Sequence, residues 1–86
     1  MLRVNGESMI DAGINDGDYV VIRKQSDATP GSIVAALLDD EATEKTLVRQ
    51  GGKTILKAEN PAFSPIEVTE ENSRILGKVV ALLRSI

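Results

Sequence analysis

The sequence predicts an all-β domain: a small, compact sandwich or barrel of short strands with one short helical turn. Two observations predict it. Short aliphatic runs recur at roughly ten-residue spacing with turn signals between them, and no long stretch carries the periodicity of an amphipathic helix. Because the chain has 86 residues, it has room for one hydrophobic core, and we expect a single domain over residues 1–86.

The first predicted elements are a short helical turn and a strand. Apolar side chains recur at helical spacing between residues 8 and 15, and Gly13 can end a helical turn there. The segment Asp16-Gly17-Asp18 then supplies a turn before the aliphatic run Val20-Val21-Ile22. We interpret that run as a buried strand because it is short, aliphatic and rich in β-branched residues.

A further strand and a hairpin follow in the middle of the chain. Thr29-Pro30-Gly31-Ser32 is a turn signal before the aliphatic run Ile33–Leu38, which is the next predicted strand. Residues 41–50 and 53–57 are joined by Gly51-Gly52. This two-residue link accepts the positive φ of a primed hairpin turn, so we expect these two segments to pair.

The chain ends with an irregular loop and a long strand. Asn60-Pro61 and Ser64-Pro65 bracket the loop. Residues 75–86, which include the aliphatic run Val79–Leu83, form the last predicted strand. Two alternatives for this strand stay open: an edge position, which invites pairing with a second copy of the chain, and a central position buried in its own monomer.

Composition and charge exclude several classes of function. The formal net charge is -3 and the basic residues are scattered, so we expect no direct contact between these residues and nucleic acid. The sequence contains no leader-like segment and no apolar run of membrane-spanning length, so we expect a cytoplasmic protein without a membrane partner. The lack of cysteine agrees, because small secreted domains often carry disulfides.

The chain contains neither histidine nor cysteine, which narrows any hydrolytic chemistry sharply. A Ser-His-Asp triad, a cysteine nucleophile and a Cys/His zinc site are all excluded. The principal arrangement left is a serine activated by a neutral lysine, which requires no metal or cofactor. The candidates are Ser8, in the run Asn5-Gly6-Glu7-Ser8-Met9, and Lys45, in the run Thr43-Glu44-Lys45.

Four segments together resemble the catalytic domain of the LexA repressor family. They are Leu2–Val21, Asp39–Lys45, Glu59–Ile66 and Ile75–Val80. Gly6-x-Ser8-Met9 with Asp16-Gly17-Asp18 and a later Thr43-x-Lys45 is far more specific than any one of these motifs alone. The resemblance runs from Leu2 to Arg84 and implies a fold like that of LexA and the signal peptidases.

The resemblance also implies roles for individual residues. Ser8 would be the nucleophile and Lys45 the general base, with Thr43 hydrogen-bonded to the amine and holding it toward Ser8. The oxyanion hole would come from the backbone N–H groups of Glu7 and Ser8, which explains why no side-chain amide is needed there.

The same resemblance implies a biological role. LexA-type proteins repress DNA-damage-response genes, dimerise through this domain, and cut their own Ala-Gly bond when the RecA filament on single-stranded DNA stimulates them. In that family the scissile bond and the winged helix-turn-helix domain that binds operator DNA lie upstream of the segment matched here. We therefore expect a catalytic and dimerisation domain of a serine endopeptidase that, as this chain, acts only in trans.

Lys45 must be neutral to act as a base, whereas an unperturbed lysine has a pKa of about 10.4. Burial penalises the ammonium form and lowers that pKa. The sequence therefore predicts a desolvated amine beside Ser8 and an activity that rises with pH. We also hypothesise that a peptide loop entering the cleft helps to bury Lys45, so that a partner stabilising the closed form switches cleavage on.

Glu44 departs from the family pattern, in which the position before the lysine is usually apolar. On a strand, Thr43 and Lys45 share a face and Glu44 points the other way, so we expect Glu44 to disturb packing more than chemistry. Two alternatives stay open beside the repressor domain. One is a UmuD-type self-processing subunit of a translesion polymerase, and the other is a non-catalytic β interaction module that keeps the fold without the activity.

Overall fold

The computed structural model describes residues 1–86 and contains one 3₁₀ helix and one seven-stranded sheet. The helix is Ile10–Ala12, and the strands are β1 (Leu2–Arg3), β2 (Tyr19–Lys24), β3 (Ile33–Leu38), β4 (Glu41–Gln50), β5 (Lys53–Lys57), β6 (Ile66–Glu67) and β7 (Ser73–Leu83). All neighbouring strands are antiparallel, and their order across the sheet is β1-β2-β7-β3-β4-β5-β6. The all-β prediction is confirmed.

The local turn chemistry predicted from the sequence is present in the structure. Gly51 and Gly52 have φ of 59° and 77°, the positive values that a primed turn between β4 and β5 requires. Gly13 ends the 3₁₀ helix with φ 80° and donates its N–H to the Ile10 carbonyl. Strand β3 has the predicted limits, whereas the two-residue strands β1 and β6 were not predicted because they are too short to show a pattern.

The last strand differs from its prediction at both ends. Strand β7 begins at Ser73 rather than residue 75 and ends at Leu83 rather than residue 86. Its first part pairs with β3 through Lys78, and its second part pairs with β2 from Gly77 onward. Both alternatives therefore hold in part: β7 lies between β2 and β3 in the sheet order, but it pairs with both only at Gly77 and Lys78, and it has β3 alone beside it before them and β2 alone after them.

Two buried clusters hold the sheet together. One contains Val4, Met9, Ile14 and Val20, and packs the segment after β1 against β2. The other contains Val34, Ala36, Leu47 and Leu56, and lies on one face of β3, β4 and β5. Because side chains alternate along a strand, the face of β4 that contributes Leu47 to this core is also the face of the two candidate site residues on that strand.

An ion pair connects Arg84, which follows β7, to Asp18, which precedes β2. Arg84 donates to both carboxylate oxygens of Asp18, at 2.9 and 2.7 Å, and to the carbonyl oxygen of Gly13 at 2.7 Å. The Asp18 side chain is only 4% exposed and also accepts a hydrogen bond from the backbone N–H of Asn15.

The single helix of the structure, Ile10–Ala12, is not long and apolar enough to cross a membrane.

Candidate active site

Ser8 lies in a tightly held turn between β1 and the 3₁₀ helix. Gly6 has φ 85°, a conformation that favours glycine, and its N–H donates to Asp16 Oδ1 at 2.7 Å. On the other side of Ser8, Met9 is 1% exposed and belongs to the first buried cluster. The turn is therefore fastened on both sides of the serine, which keeps its hydroxyl at a defined position at the protein surface.

Lys45 lies in the middle of β4 with 5% of its surface exposed. Its Nζ donates to Ser8 Oγ at 3.1 Å and to Thr43 Oγ1 at 2.8 Å. The contact with Ser8 spans 37 residues of sequence, and the contact with Thr43 follows from the alternation of side chains along β4. The structure thus brings Ser8 and Thr43, two of the candidate site residues, within hydrogen-bond distance of the Lys45 amine.

The electrostatics around Lys45 favour its neutral form. Burial lowers the pKa of the Lys45 amine below its ordinary value, and the carboxylates of Glu44 and Glu41 partly oppose this shift. A neutral amine has a lone pair that can accept the Ser8 hydroxyl proton, which an ammonium group cannot do. The environment of Lys45 therefore acts in the direction that general base chemistry requires.

Glu44 is buried on the face of β4 opposite to Lys45. It pairs with Ala35 of β3 in the sheet register and is 4% exposed. Burial raises the pKa of the Glu44 carboxyl, and the charge of Lys45 opposes this shift. The carboxylate of Glu44 is therefore buried on the sheet face opposite to the cluster that contains Leu47, where its burial lowers the stability of the fold, and it does not line the cavity that contains Ser8.

Two backbone N–H groups beside the serine have no acceptor within the protein. The N–H groups of Glu7 and Ser8 make no backbone or side-chain hydrogen bond, whereas the preceding N–H of Gly6 is occupied by Asp16. Adjacent unpaired N–H donors are what an oxyanion hole needs. Their availability agrees with the assignment that the resemblance implies for Glu7 and Ser8.

Ser8 and Lys45 share a cavity of about 240 Å³. Its lining consists of Asn5, Gly6, Glu7, Ser8, Leu38, Glu41, Thr43, Lys45 and Phe63. Sequence reasoning missed Leu38, Glu41 and Phe63 as parts of the site. Phe63 is the single phenylalanine of the chain and is 46% exposed, but no local sequence pattern distinguishes it as a residue of the cavity.

The loop that carries Phe63 is fastened to the turn that carries Ser8. Asn60 Nδ2 donates to the carbonyl oxygen of Glu7 at 2.8 Å, and the N–H of Asp11 donates to the carbonyl oxygen of Glu59 at 2.8 Å. The N–H of Glu59 also donates to Met9 Sδ at 3.4 Å. Sequence reasoning placed an irregular loop here but gave its residues no part in the site.

Comparisons with known proteins show which family the chain resembles. Residues 1–80 match the protein family described as Peptidase S24-like. All 86 residues align with the LexA repressor of Bifidobacterium longum at 56% identity, covering 35% of that protein. The LexA repressor of Bifidobacterium adolescentis is 57% identical over the same 86 residues, which cover 33% of that protein. The LexA repressor of an Arthrobacter species is 55% identical, and the chain covers 34% of it. The chain spans about a third of the length of the curated relatives it matches.

Proposed function

The chain belongs to the peptidase S24-like family, and we propose that it is the Ser-Lys peptidase domain of a LexA-type repressor. One observation carries the proposal. A buried lysine amine lies 3.1 Å from a serine hydroxyl in a surface cleft, in a chain without histidine. Lysine is the group best placed to remove the hydroxyl proton, and its pKa is lowered in the direction that this role needs.

In the proposed acylation step, neutral Lys45 accepts the proton of Ser8 Oγ while Oγ forms a bond to the carbonyl carbon of the substrate. The carbonyl electron pair moves to oxygen, and the N–H groups of Glu7 and Ser8 stabilise the resulting oxyanion. When the carbonyl re-forms, the carbon–nitrogen bond breaks and the leaving nitrogen takes the proton from the Lys45 ammonium. The products are an acyl ester on Ser8, a free amine and a neutral lysine.

Deacylation uses the same groups with water as the nucleophile. Lys45 accepts a proton from water as the water oxygen attacks the ester carbon, and Ser8 Oγ takes that proton back when the carbon–oxygen bond of the ester breaks. Thr43 Oγ1, at 2.8 Å from Nζ, keeps the amine directed along the cleft through both steps. Every catalytic group in this scheme is a side chain or backbone group of the chain and water is the only co-reactant, so the scheme requires no cofactor.

We further propose that the substrate is an Ala-Gly bond in a segment preceding this domain in the full-length protein, and that a RecA filament on single-stranded DNA stimulates its cleavage. The same proposal assigns operator binding to a separate N-terminal domain. The curated relatives support it because they bear the name LexA repressor and are about three times as long as this chain. Their name also favours the repressor over a polymerase subunit.

We also propose that this domain forms a homodimer through the end of β7. Beyond Lys78 the strand has only β2 beside it, and its apolar side chains Val80, Leu82 and Leu83 are 45%, 39% and 48% exposed. A strand with one open edge and exposed apolar residues is prone to pair with a second copy. Sedimentation of Val80→Lys beside the unmodified chain tests this: a dimer that persists unchanged in the variant would contradict it.

A cleavage assay in trans tests the peptidase proposal. A second polypeptide carrying the Ala-Gly segment is incubated with the chain over a range of pH, and products are quantified. We expect cleavage that rises with pH and disappears in both Ser8→Ala and Lys45→Met. Because Glu44 is on the opposite face of β4, Glu44→Gln serves as a control that should retain activity. Absence of cleavage by the unmodified chain at any pH would favour the non-catalytic interaction module instead.

A further inference from the structure

We propose that Asn60 is a positioning residue that orients the Glu7–Ser8 peptide unit for binding of the oxyanion. The inference rests on the proposed peptidase function and adds to it a residue that lies outside the dyad and the cavity lining. Asn60 Nδ2 donates to the carbonyl oxygen of Glu7 at 2.8 Å across 53 residues of sequence. That carbonyl belongs to the same peptide unit as the N–H of Ser8.

The planarity of the peptide bond transmits this contact to the oxyanion hole. In a trans peptide the C=O and N–H groups point in opposite directions within one plane, so a bond that fixes the Glu7 carbonyl also fixes the direction of the Ser8 N–H. A rotation of this unit would exchange the two and present a carbonyl oxygen to a developing negative charge. A hydrogen bond to the carbonyl also polarises the amide and makes its N–H a stronger donor.

Little else holds this peptide unit in place. Apart from Asn60, the Glu7 carbonyl accepts only the N–H of Ile10, at 3.4 Å, which is longer than an ordinary hydrogen bond of this kind. The Ser8 N–H itself has no acceptor in the protein. On the other side of Glu7, the bond from Gly6 N to Asp16 fixes the preceding peptide unit and leaves the orientation of the Glu7–Ser8 unit to Asn60.

Asn60 is itself held with its amide in a defined orientation. Its Oδ1 accepts the N–H of Ala62 at 3.0 Å, and its backbone carbonyl accepts the N–H of Phe63 at 3.1 Å. Because the Ala62 N–H faces Oδ1 and the Glu7 carbonyl faces Nδ2, an exchange of the oxygen and nitrogen of this side chain would lose both contacts. The loop therefore presents Nδ2, and only Nδ2, to the Glu7 carbonyl.

The substitution Asn60→Asp tests the inference because it separates the two functions of this side chain. An aspartate keeps the acceptor for Ala62 and so preserves the loop, but its carboxylate has no proton to donate to Glu7. We expect kcat for cleavage in trans to fall by about 10- to 100-fold with KM changed less than about 3-fold. That loss is somewhat smaller than the one that follows removal of an oxyanion-hole donor itself.

Two comparisons make the result decisive. Asn72→Asp introduces the same charge in a distant loop, where Asn72 Oδ1 accepts the N–H of Thr69, and should leave kcat unchanged. The dependence of kcat on pH should have the same shape in Asn60→Asp as in the unmodified chain, and kcat should remain lowered at alkaline pH. If the new carboxylate instead acted by keeping Lys45 charged, activity would recover at high pH, and such a recovery would overturn the inference.

A second variant excludes an effect of the added charge. Asn60→Ala removes the donor without adding charge, and we expect it to show the same fall in kcat when its thermal unfolding confirms that it is folded. Full activity in both variants refutes the role of Asn60 while leaving the peptidase function intact. An unmodified chain that fails to cleave, by contrast, overturns the peptidase proposal and this inference with it, so the two failures are distinguishable.

Discussion

Replacing Lys45 by methionine should stabilise the domain near neutral pH and should do so less as the pH rises. Methionine fills a similar volume without a charge, so the variant lacks the penalty of burying an ammonium group. Lys45 is 5% exposed, and burial lowers its pKa below the ordinary value of 10.5. In the folded state the amine therefore loses its proton at a pH where the unfolded chain still binds it.

The sign and size of the effect follow from proton linkage. Below the lowered pKa both states are protonated, and the folded chain bears the full burial penalty. Between the lowered pKa and 10.5 the unfolded state binds the additional proton, so the free energy of unfolding of the unmodified chain rises with pH. A single proton gives a maximum slope of about 1.4 kcal/mol per pH unit. The variant has no such slope, and its advantage shrinks as the pH increases.

Urea denaturation at a series of pH values measures the difference directly. Lys53→Met is the matched control, because it removes a lysine whose side chain is 64% exposed rather than a buried one. Both substitutions are best made in a Glu44→Gln background, since the carboxylate of Glu44 opposes the shift at Lys45. If the free energies of unfolding of Lys45→Met and of its parent change in parallel across the pH range, the claim that this lysine is desolvated is refuted.

Three further substitutions test the fold around the site. Gly77→Ala should lower the free energy of unfolding by about 1–3 kcal/mol in urea denaturation, because an added Cβ would lie 2.3 Å from the carbonyl oxygen of Arg23; an unchanged midpoint would contradict this. Leu47→Ala should cost about 2–5 kcal/mol by the same assay, since the side chain is fully buried, and a loss well under that range would show that the core collapses into the space. In the unmodified chain, hydrogen bonds from Arg84 and from the backbone N–H of Asn15 lower the pKa of Asp18 from 3.8 to about 2, so its stabilising contribution is present above pH 3.8 and is lost as the pH falls through about 2. Arg84→Met should return that pKa toward 3.8, which an NMR titration of the carboxyl carbon measures; a pKa that stays near 2 would assign the shift to the backbone alone.

The loop from Asn60 to Pro65 shows where prediction from sequence stopped. Its prolines marked it correctly as irregular, but nothing in the local pattern indicated that Asn60 meets Glu7 or that Phe63 lines the cleft. These contacts join segments more than fifty residues apart, and local periodicity reports only which residues share a face of one element. The same limit explains the last strand, whose pairing on both sides depends on where β2 and β3 lie in the sheet.

The sequence by itself indicated the class of fold, the hairpin at Gly51-Gly52, and the candidate site residues Ser8 and Lys45. Turn residues impose backbone conformations locally, strand alternation puts Thr43 and Lys45 on one face, and a chain without histidine leaves few ways to activate Ser8. Only the tertiary structure decided that Lys45 Nζ comes within 3.1 Å of Ser8 Oγ and that the amine is buried there. Both are consequences of packing between distant segments, because a side chain is desolvated by its neighbours in space and not by its neighbours in sequence.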